Sequence, residues 1–284
     1  MNTAHNTRDE QTALWNGVAG RTWVDAQELV DQMYKPLEDR LVDAVITRSR
    51  RSVLDVGCGT GGTTRAVARR IGGQGHVVGI DISEPMIVSA RARAGQEDTP
   101  AEFIRGNAQD YPFEPDRFDM IISRFGVMFF DDPVGAFANL RRAAAPDGEL
   151  RFIVWRSATD NPFMTTAERA AAPILPDLPA RKADAPGQFA FANRERVAAI
   201  LEESGWSGIE IEPTDVECRL PETELIRHMT RFGPVGLTLQ NADDETRARV
   251  IDVVRPAFDP YVHGADVRFT AACWTVSARR PPED

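Results

Sequence analysis

The residues best placed to do chemistry stand in one run, Asp55-Val56-Gly57-Cys58-Gly59-Thr60-Gly61-Gly62, and in a second acid, Asp81, 26 positions beyond Asp55. Gly57, Gly59 and Gly61 let a backbone turn tightly and approach a ligand with no Cβ in the way. A helix opening at about Thr63 aims its N-terminal amides and the positive end of its dipole at whatever lies in that turn. Gly57, Gly59 and Gly62 also satisfy the dinucleotide spacing G-x-G-x-x-G. Asp55 separates the two readings, because a carboxylate two residues ahead of the first glycine repels a pyrophosphate but accepts from an ammonium or a bound water. A ligand with an amino acid at one end and a nucleoside at the other fits better, and Asp81 is spaced to hold ribose hydroxyls.

The elements that must position these residues follow from the hydrophobic pattern. Val53, Leu54 and Val56 read as a buried parallel strand, and Val77-Val78-Gly79-Ile80 as a second. Phe103 and Ile104 mark a third, Phe118 to Ser123 a fourth, and Leu150, Phe152 and Val154 a fifth. Helical segments alternate with them: one carries Met86, Ile87 and Ala90, another Val134, Phe137 and Ala138 behind Asp132-Pro133. That alternation predicts βαβ units and a parallel sheet. Ile209 and Ile211 begin a further strand, and the β-rich run Val267 to Val276 is expected to pair antiparallel at the sheet edge.

With these residues the chain resembles the class I S-adenosylmethionine-dependent methyltransferases. Asp55 through Gly61 and Gly79-Ile80-Asp81-Ile82-Ser83 match their first two motifs. Gly106-Asn107-Ala108-Gln109, Ser123-Arg124-Phe125-Gly126-Val127-Met128-Phe129-Phe130, and Leu140-Arg141-Arg142 through Pro146-Asp147-Gly148 are similar to the bacterial small-molecule branch, of the ubiquinone and menaquinone biosynthesis type. The resemblance covers residues 50–156 well and the flanks more loosely. It implies an α/β fold: a Rossmann-like, doubly wound sheet of seven strands, mostly parallel with an antiparallel last strand, plus helical covers. It also implies S-adenosylmethionine as cofactor, S-adenosylhomocysteine as product, and in-line methyl transfer. The cofactor contacts it implies come from Asp55, Gly57, Cys58, Gly59, Asp81, Ile82, Asn107, Ala108, Ser123 and Arg124.

Asn107 departs from the aspartate that this family commonly has there. Its oxygen can still accept from an adenine amino group, and its amide can donate to a ring nitrogen. Ala108 would present its backbone amide beside the ring, with Ile82 and Phe125 as walls. Arg124 reaches either the substrate or the N-terminal cover, and the residues leave that choice open.

Composition narrows the substrate. With 33 basic against 43 acidic residues the 284-residue chain carries a net charge of −10, which disfavours a broad phosphate-binding surface and so nucleic acid. The methyl acceptor is expected to be a small molecule. Cys58, Cys218 and Cys273 lie far apart with no paired spacing, which argues against a zinc site or any other metal and against a disulfide framework. A cytoplasmic setting is expected. Met1 to Gln11 are polar with no apolar leader segment, and no run has the length to span a membrane. A homodimer is compatible with the chain, whose oligomeric state the residues leave open.

The flanks read as covers on a single methyltransferase domain spanning 1–284. Residues 1–48 form an N-terminal helical cover, 49–156 the cofactor-binding core, and 157–192 and 219–264 two substrate-cover insertions. After a mobile start, Ala26, Leu29, Val30 and Met33 and then Leu37, Leu41 and Val45 recur at helical spacing about Pro36. Trp15 and Trp23 flank a glycine-containing segment expected to move. They are core anchors or they close over the ligand, with Arg21 near its carboxylate. The first insertion is proline-rich, with no strand pattern, and is expected over the strand ends. The second places Leu225, Met229 and Phe232 at helical spacing, with a break at Gly233-Pro234.

No residue stands out as catalytic. Methyl transfer from a sulfonium needs donor and acceptor held in line, and a base only where the acceptor must lose a proton. His5 and His76 read as incidental, and His228 and His263 as surface groups of the cover. The Arg48-Arg50-Arg51 and Arg279-Arg280 runs read as solvated faces. The apolar cover residues Met33, Tyr34, Phe163, Met164, Phe189, Phe191, Phe232 and Leu237 point to an apolar or aromatic acceptor. Two alternatives remain at this stage: an NAD-linked oxidoreductase, although no Tyr-x-x-x-Lys is placed for hydride transfer, and a protein that binds cofactor or ligand without turnover.

Overall fold

A computed structural model describes residues 3–179, 181 and 185–282, without the side chains of residues 3–9 and 74. The side chain of His5 therefore lies outside the described residues. Four helices precede the sheet: α1 (Thr3–Asn16), α2 (Val18–Asp25), α3 (Gln27–Met33) and α4 (Lys35–Thr47). The expected mobile start is thus helical from Thr3, and only Gly17 interrupts the segment between the two tryptophans.

The core then alternates β1 (Ser52–Val56), α5 (Gly62–Ile71), β2 (His76–Asp81), α6 (Glu84–Gln96), β3 (Ala101–Arg105), β4 (Phe118–Arg124), α7 (Pro133–Ala143) and β5 (Ala144–Trp155). Strands β1, β2 and β4 are nearly continuous buried runs because helices cover both their faces. Asp132 starts α7 as a true cap, its carboxylate accepting from Gly135 N at 2.9 Å ahead of Pro133.

The rest of the chain adds α8 (Pro162–Ala171), α9 (Arg194–Glu203), β6 (Ser207–Pro221), α10 (Leu225–Arg231), α11 (Gly233–Leu239), α12 (Asp244–Ala257), β7 (Val262–His263) and β8 (Asp266–Arg279). The strand order is β3-β2-β1-β4-β5-β8-β6, with β7 paired to β8. Eight strands form the mixed sheet, not seven. The extra one is two residues long, folded back on β8 by a turn in which Gly264 adopts φ +68°, and so short a strand leaves no periodicity to read.

The antiparallel β8 is also not at the edge. It lies between β5 and β6, antiparallel to both. Val267, Phe269, Ala271, Ala272, Cys273, Val276 and Ala278 bury both its faces, as an interior position requires. The edge belongs to β6, whose buried and exposed residues alternate and which tolerates Pro213.

Two arginine clusters expected on solvated faces do structural work instead. The buried Glu149 receives Arg48 at 2.7 Å, Arg50 at 3.4 Å and Arg279 at 3.6 Å, and the buried Arg280 pairs with Asp116. The first insertion, read as proline-rich with no strand pattern, contains the helix α8; Pro162 starts it at N1, where a proline costs no hydrogen bond.

Candidate active site

The glycine run forms the turn at the carboxyl end of β1. Gly57 adopts φ +68°, and a Cβ there would lie 2.5 Å from the Cα of Gly126, so the turn after β1 and the loop after β4 touch backbone to backbone. Gly57 N and Cys58 N both donate to the carbonyl of Ile80, at 2.9 and 3.1 Å. Gly59 N donates to Asp81 Oδ2 at 2.8 Å, and Ser83 N to Asp81 Oδ1 at 2.9 Å. Burial pushes the Asp81 carboxyl up from its ordinary range, and these backbone N–H groups oppose it. A carboxylate has about four acceptor positions, so Asp81 retains capacity for a ligand.

Ser123 Oγ donates to Val56 O at 2.7 Å and accepts from Gly126 N at 3.1 Å, which locks the ends of β1 and β4 together. Phe125 then adopts φ +68°, rare for a bulky residue, and stacks on Trp155 with centroids 4.6 Å apart.

These ends open into one cavity of about 470 Å³. Of the residues singled out in the sequence, Gly57, Gly59, Asp81, Ile82, Asn107, Ala108 and Arg124 line it; Asp55, Cys58 and Ser123 do not. Asp55 is buried behind the turn, accepting from Thr64 Oγ1 at 2.6 Å, and burial raises its pKa to about 6 against that hydrogen bond. Cys58 turns into a separate apolar cluster with Ile87, Ala90, Ala94 and Phe103, where burial holds its thiol well above the ordinary range. Asn107 Oδ1 accepts from Gln109 N at 3.0 Å, which leaves its amide and one lone pair of that oxygen for a ligand. Arg124 faces the cavity while reaching the N-terminal cover, 3.4 Å from Tyr34 O and 3.9 Å from Asp31.

The cover is fastened at the acid. Asn16 Nδ2 donates to Ile82 O at 3.1 Å, Asn16 Oδ1 accepts from Glu84 N at 2.9 Å, and Ser83 Oγ donates to Trp15 O at 2.7 Å. Trp15 meets Phe129 edge-on at 5.0 Å, and Trp23 meets Phe232 at 5.5 Å, so both tryptophans line the cavity. Arg21 is exposed and lies off it. Met33, Tyr34, Phe163, Met164, Phe232 and Leu237 also line it, whereas Phe191 packs beneath, against Phe137 and Phe152, and Phe189 lies under the Arg181 guanidinium.

His228 is the residue that the sequence reading misplaced. It is not a surface group: it lines the cavity with its ring between Phe163 at 5.8 Å and Phe232 at 5.2 Å. The signal was its position three residues after Leu225 and four before Phe232, which puts it on the buried side of α10. His263 is exposed in β7, and His76 meets Arg117 at 2.8 Å near the start of β2.

The comparisons with known proteins agree with this geometry. Residues 53–148 match the family described as a methyltransferase domain. The chain is 34% identical over 120 residues to nocamycin O-methyltransferase of Saccharothrix syringae (42% of this chain, 43% of that one). It is 31% identical over 120 residues to demethylmenaquinone methyltransferase of Shouchella clausii (42% and 51%). The matched segment thus spans about half the length of these relatives. Haemonchus contortus phosphoethanolamine N-methyltransferase 2, solved in complex with S-adenosyl-L-methionine, shares the fold at a TM-score of 0.52 and 18% identity, over 85% of this chain and 52% of that one.

A mostly parallel sheet with β8 antiparallel inside it, and a glycine turn tied to an acid at the end of β2, define a Rossmann-like methyltransferase fold. Residues 53–148 match a methyltransferase domain, and the segment around them is similar to S-adenosylmethionine-dependent methyltransferases of the bacterial small-molecule branch. Among the described residues no helix is long and apolar enough to cross a membrane.

Proposed function

We propose that the chain methylates a small, largely apolar or aromatic molecule, seated beside the cofactor in the cavity under the helical cover. The observation that carries this is the continuity of the cavity, from Gly57, Gly59 and Asp81 at the strand ends to Trp15, Trp23, Phe163 and Phe232 above them. Its volume of about 470 Å³ is that of a small-molecule site. Residues 49–156 hold the cofactor, and 1–48, 157–192 and 219–264 enclose the acceptor; β6 runs on to Pro221 before the second of those insertions turns helical.

The residues present suit an adenosyl ligand. Asp81 accepts from the ribose hydroxyls with the lone pairs that Gly59 and Ser83 leave free. The Asn107 amide and Ala108 N meet the adenine edge, with Ile82 against the ring. Gly57 and Gly59 give the methionyl end close backbone approach, and Arg124 stands at its carboxylate. Asp55, Cys58 and Ser123 act from behind: Asp55 and Ser123 hold the turn in shape, and Cys58 fills the space against Gly79. When bound, the cofactor supplies an electrophilic methyl group. The protein's task is to dry the site and hold the acceptor in line. The buried, unpaired thiols of Cys58, Cys218 and Cys273 suit a reducing compartment, and we assign the protein to the cytoplasm on that ground.

Thermal unfolding with S-adenosylhomocysteine, S-adenosylmethionine or NAD added separately tests the cofactor. Ligand at about 100 times its Kd adds roughly 2.7 kcal/mol to the folded state. Adenosyl ligands alone are expected to shift the transition. S-adenosylhomocysteine release with a panel of aromatic, aliphatic and highly charged acceptors then tests the acceptor class; turnover confined to the charged ones would overturn it.

A further inference from the structure

Resting on the methyltransferase reading, we propose that His228 is the catalytic base of the reaction and that the acceptor is an aryl or enol hydroxyl which gives its proton to that imidazole. His228 is partly exposed and lines the cavity; its Nδ1 is enclosed without a hydrogen-bond partner, which leaves Nε2 as the ring nitrogen to meet a ligand. Neutral imidazole has one donor and one acceptor nitrogen, and a buried polar atom left unmet is costly. A protein that keeps an unmet imidazole against its ligand cavity has left the partner to the ligand. Its ring neighbours are apolar: Phe163 from α8 and Phe232 from the start of α11, with Phe258 at the end of α12 packed on Phe163 at 5.2 Å.

The charged groups facing the same cavity are otherwise engaged. Glu168 on α8 accepts from Arg181 Nε at 2.9 Å, Arg231 on α10 reaches Asp25 at 3.5 Å, and Asp81 holds Gly59 and Ser83. Arg124 is turned toward Asp31, and Asp131 has interactions of its own in the loop after β4. Burial alone pushes the His228 pKa down to about 4, so the ring is neutral, and therefore able to accept a proton, throughout the physiological range. In the transfer, the acceptor oxygen forms its bond to the methyl carbon as the carbon–sulfur bond breaks. The sulfur keeps that electron pair, and the hydroxyl proton goes to Nε2 of His228, whose Nδ1 carries the hydrogen of the neutral ring. The flat aromatic walls select a planar acceptor, and the histidine selects one with an O–H.

The test compares wild type with His228→Phe and His228→Gln. Two probe acceptors are used with S-adenosylmethionine: 2-naphthol, which must lose a proton, and 4-nitrophenol at a pH where it is already ionised. Expected is a loss of about 10²- to 10⁴-fold on 2-naphthol, the usual worth of a positioned base, with less than about tenfold on 4-nitrophenolate. S-adenosylhomocysteine affinity is expected to be unchanged. Equal rates in variants and wild type, or equal losses on both probes, overturn the proposal.

A second readout needs no turnover. Long-range ¹H–¹⁵N spectra of the histidine rings, with His228 assigned by its absence in His228→Gln, are recorded with S-adenosylhomocysteine and then 2-naphthol. The His228 nitrogens are expected to shift to one tautomer; naphthol binding that leaves them unmoved, or no naphthol binding at all, overturns the proposal. Failure to bind S-adenosylhomocysteine sinks the underlying reading instead.

Discussion

The carboxylate of Asp81 accepts the backbone N–H of Gly59 at 2.8 Å, so the acid ending β2 and the second glycine of the turn after β1 form one unit. The same carboxylate takes Ser83 N, and the Ser83 hydroxyl donates to Trp15 O in the cover. Turn and cover are therefore tied to the one side chain proposed to hold the ribose. Asp81→Ala is expected to weaken S-adenosylhomocysteine binding by about 10- to 100-fold, since hydrogen bonds to a charged group are worth roughly 1.5–3 kcal/mol. Titration calorimetry measures this, and an unchanged Kd would remove Asp81 from the ribose site.

Gly57 and Gly59 both have positive φ, yet they are expected to tolerate alanine differently. A Cβ on Gly57 would lie 2.5 Å from the Gly126 backbone, whereas on Gly59 the nearest atom is Met86 Sδ at 3.6 Å. Gly59→Ala incurs only the left-handed conformation, about 1–2 kcal/mol. Gly57→Ala adds an overpacking cost of about 1–3 kcal/mol, because backbone cannot step aside as a side chain can. Urea denaturation of the two variants should rank Gly57→Ala clearly lower; equal stabilities would contradict the contact.

Much of this site was legible because its chemistry is local in the chain. Asp55 to Gly62 and Gly79 to Ser83 carry their spacing with them, and the fold that brings them together is a run of βαβ units with strong apolar strands. What was not legible depends on tertiary placement. Nothing in the residues near Cys58 says that its sulfur turns away toward Phe103, or that the Asn107 oxygen accepts from Gln109 N. Position β8 between β5 and β6 depends on which of its faces are covered, a property of the partners and not of the run itself. His228 belongs to both groups: its stripe on α10 was readable, but that the stripe faces a cavity and not solid core was not.

Asp31, which no motif marks, ties the N-terminal cover to the glycine turn. Its carboxylate meets Arg93 at 2.5 Å, and Arg93 donates to Thr60 Oγ1 at 3.2 Å and to Thr60 O at 3.3 Å, inside the turn. The approach depends on Gly62, where a Cβ would stand 2.5 Å from Asp31 Oδ1. Both partners are largely buried, so Asp31→Ala is expected to destabilise by roughly 1–3 kcal/mol and to speed hydrogen exchange in α3. A double-mutant cycle with Arg93→Ala should show coupling of at least about 0.5 kcal/mol; additive losses would mean the pair does not hold the cover.

Asp55 makes a prediction whose sign depends on burial. Desolvation raises its pKa from 3.8 to about 6, the Thr64 hydrogen bond opposing it. Between those two values the folded protein binds more protons than the unfolded chain, so stability from this group is full below pH 3.8 and is lost as pH rises through about 6. At one unit of pKa per ~1.36 kcal/mol the loss is roughly 3 kcal/mol. Asp55→Asn keeps an oxygen for Thr64 Oγ1 but carries no charge. Its stability relative to wild type is therefore expected to improve steadily from about pH 4 to pH 6 and to stay level above, whatever the absolute offset between the two proteins. Urea midpoints at half-unit pH steps measure the slope. A difference that is flat across that interval would mean that Asp55 ionises as a solvated carboxylate does, and that the turn after β1 is wetter than its packing shows.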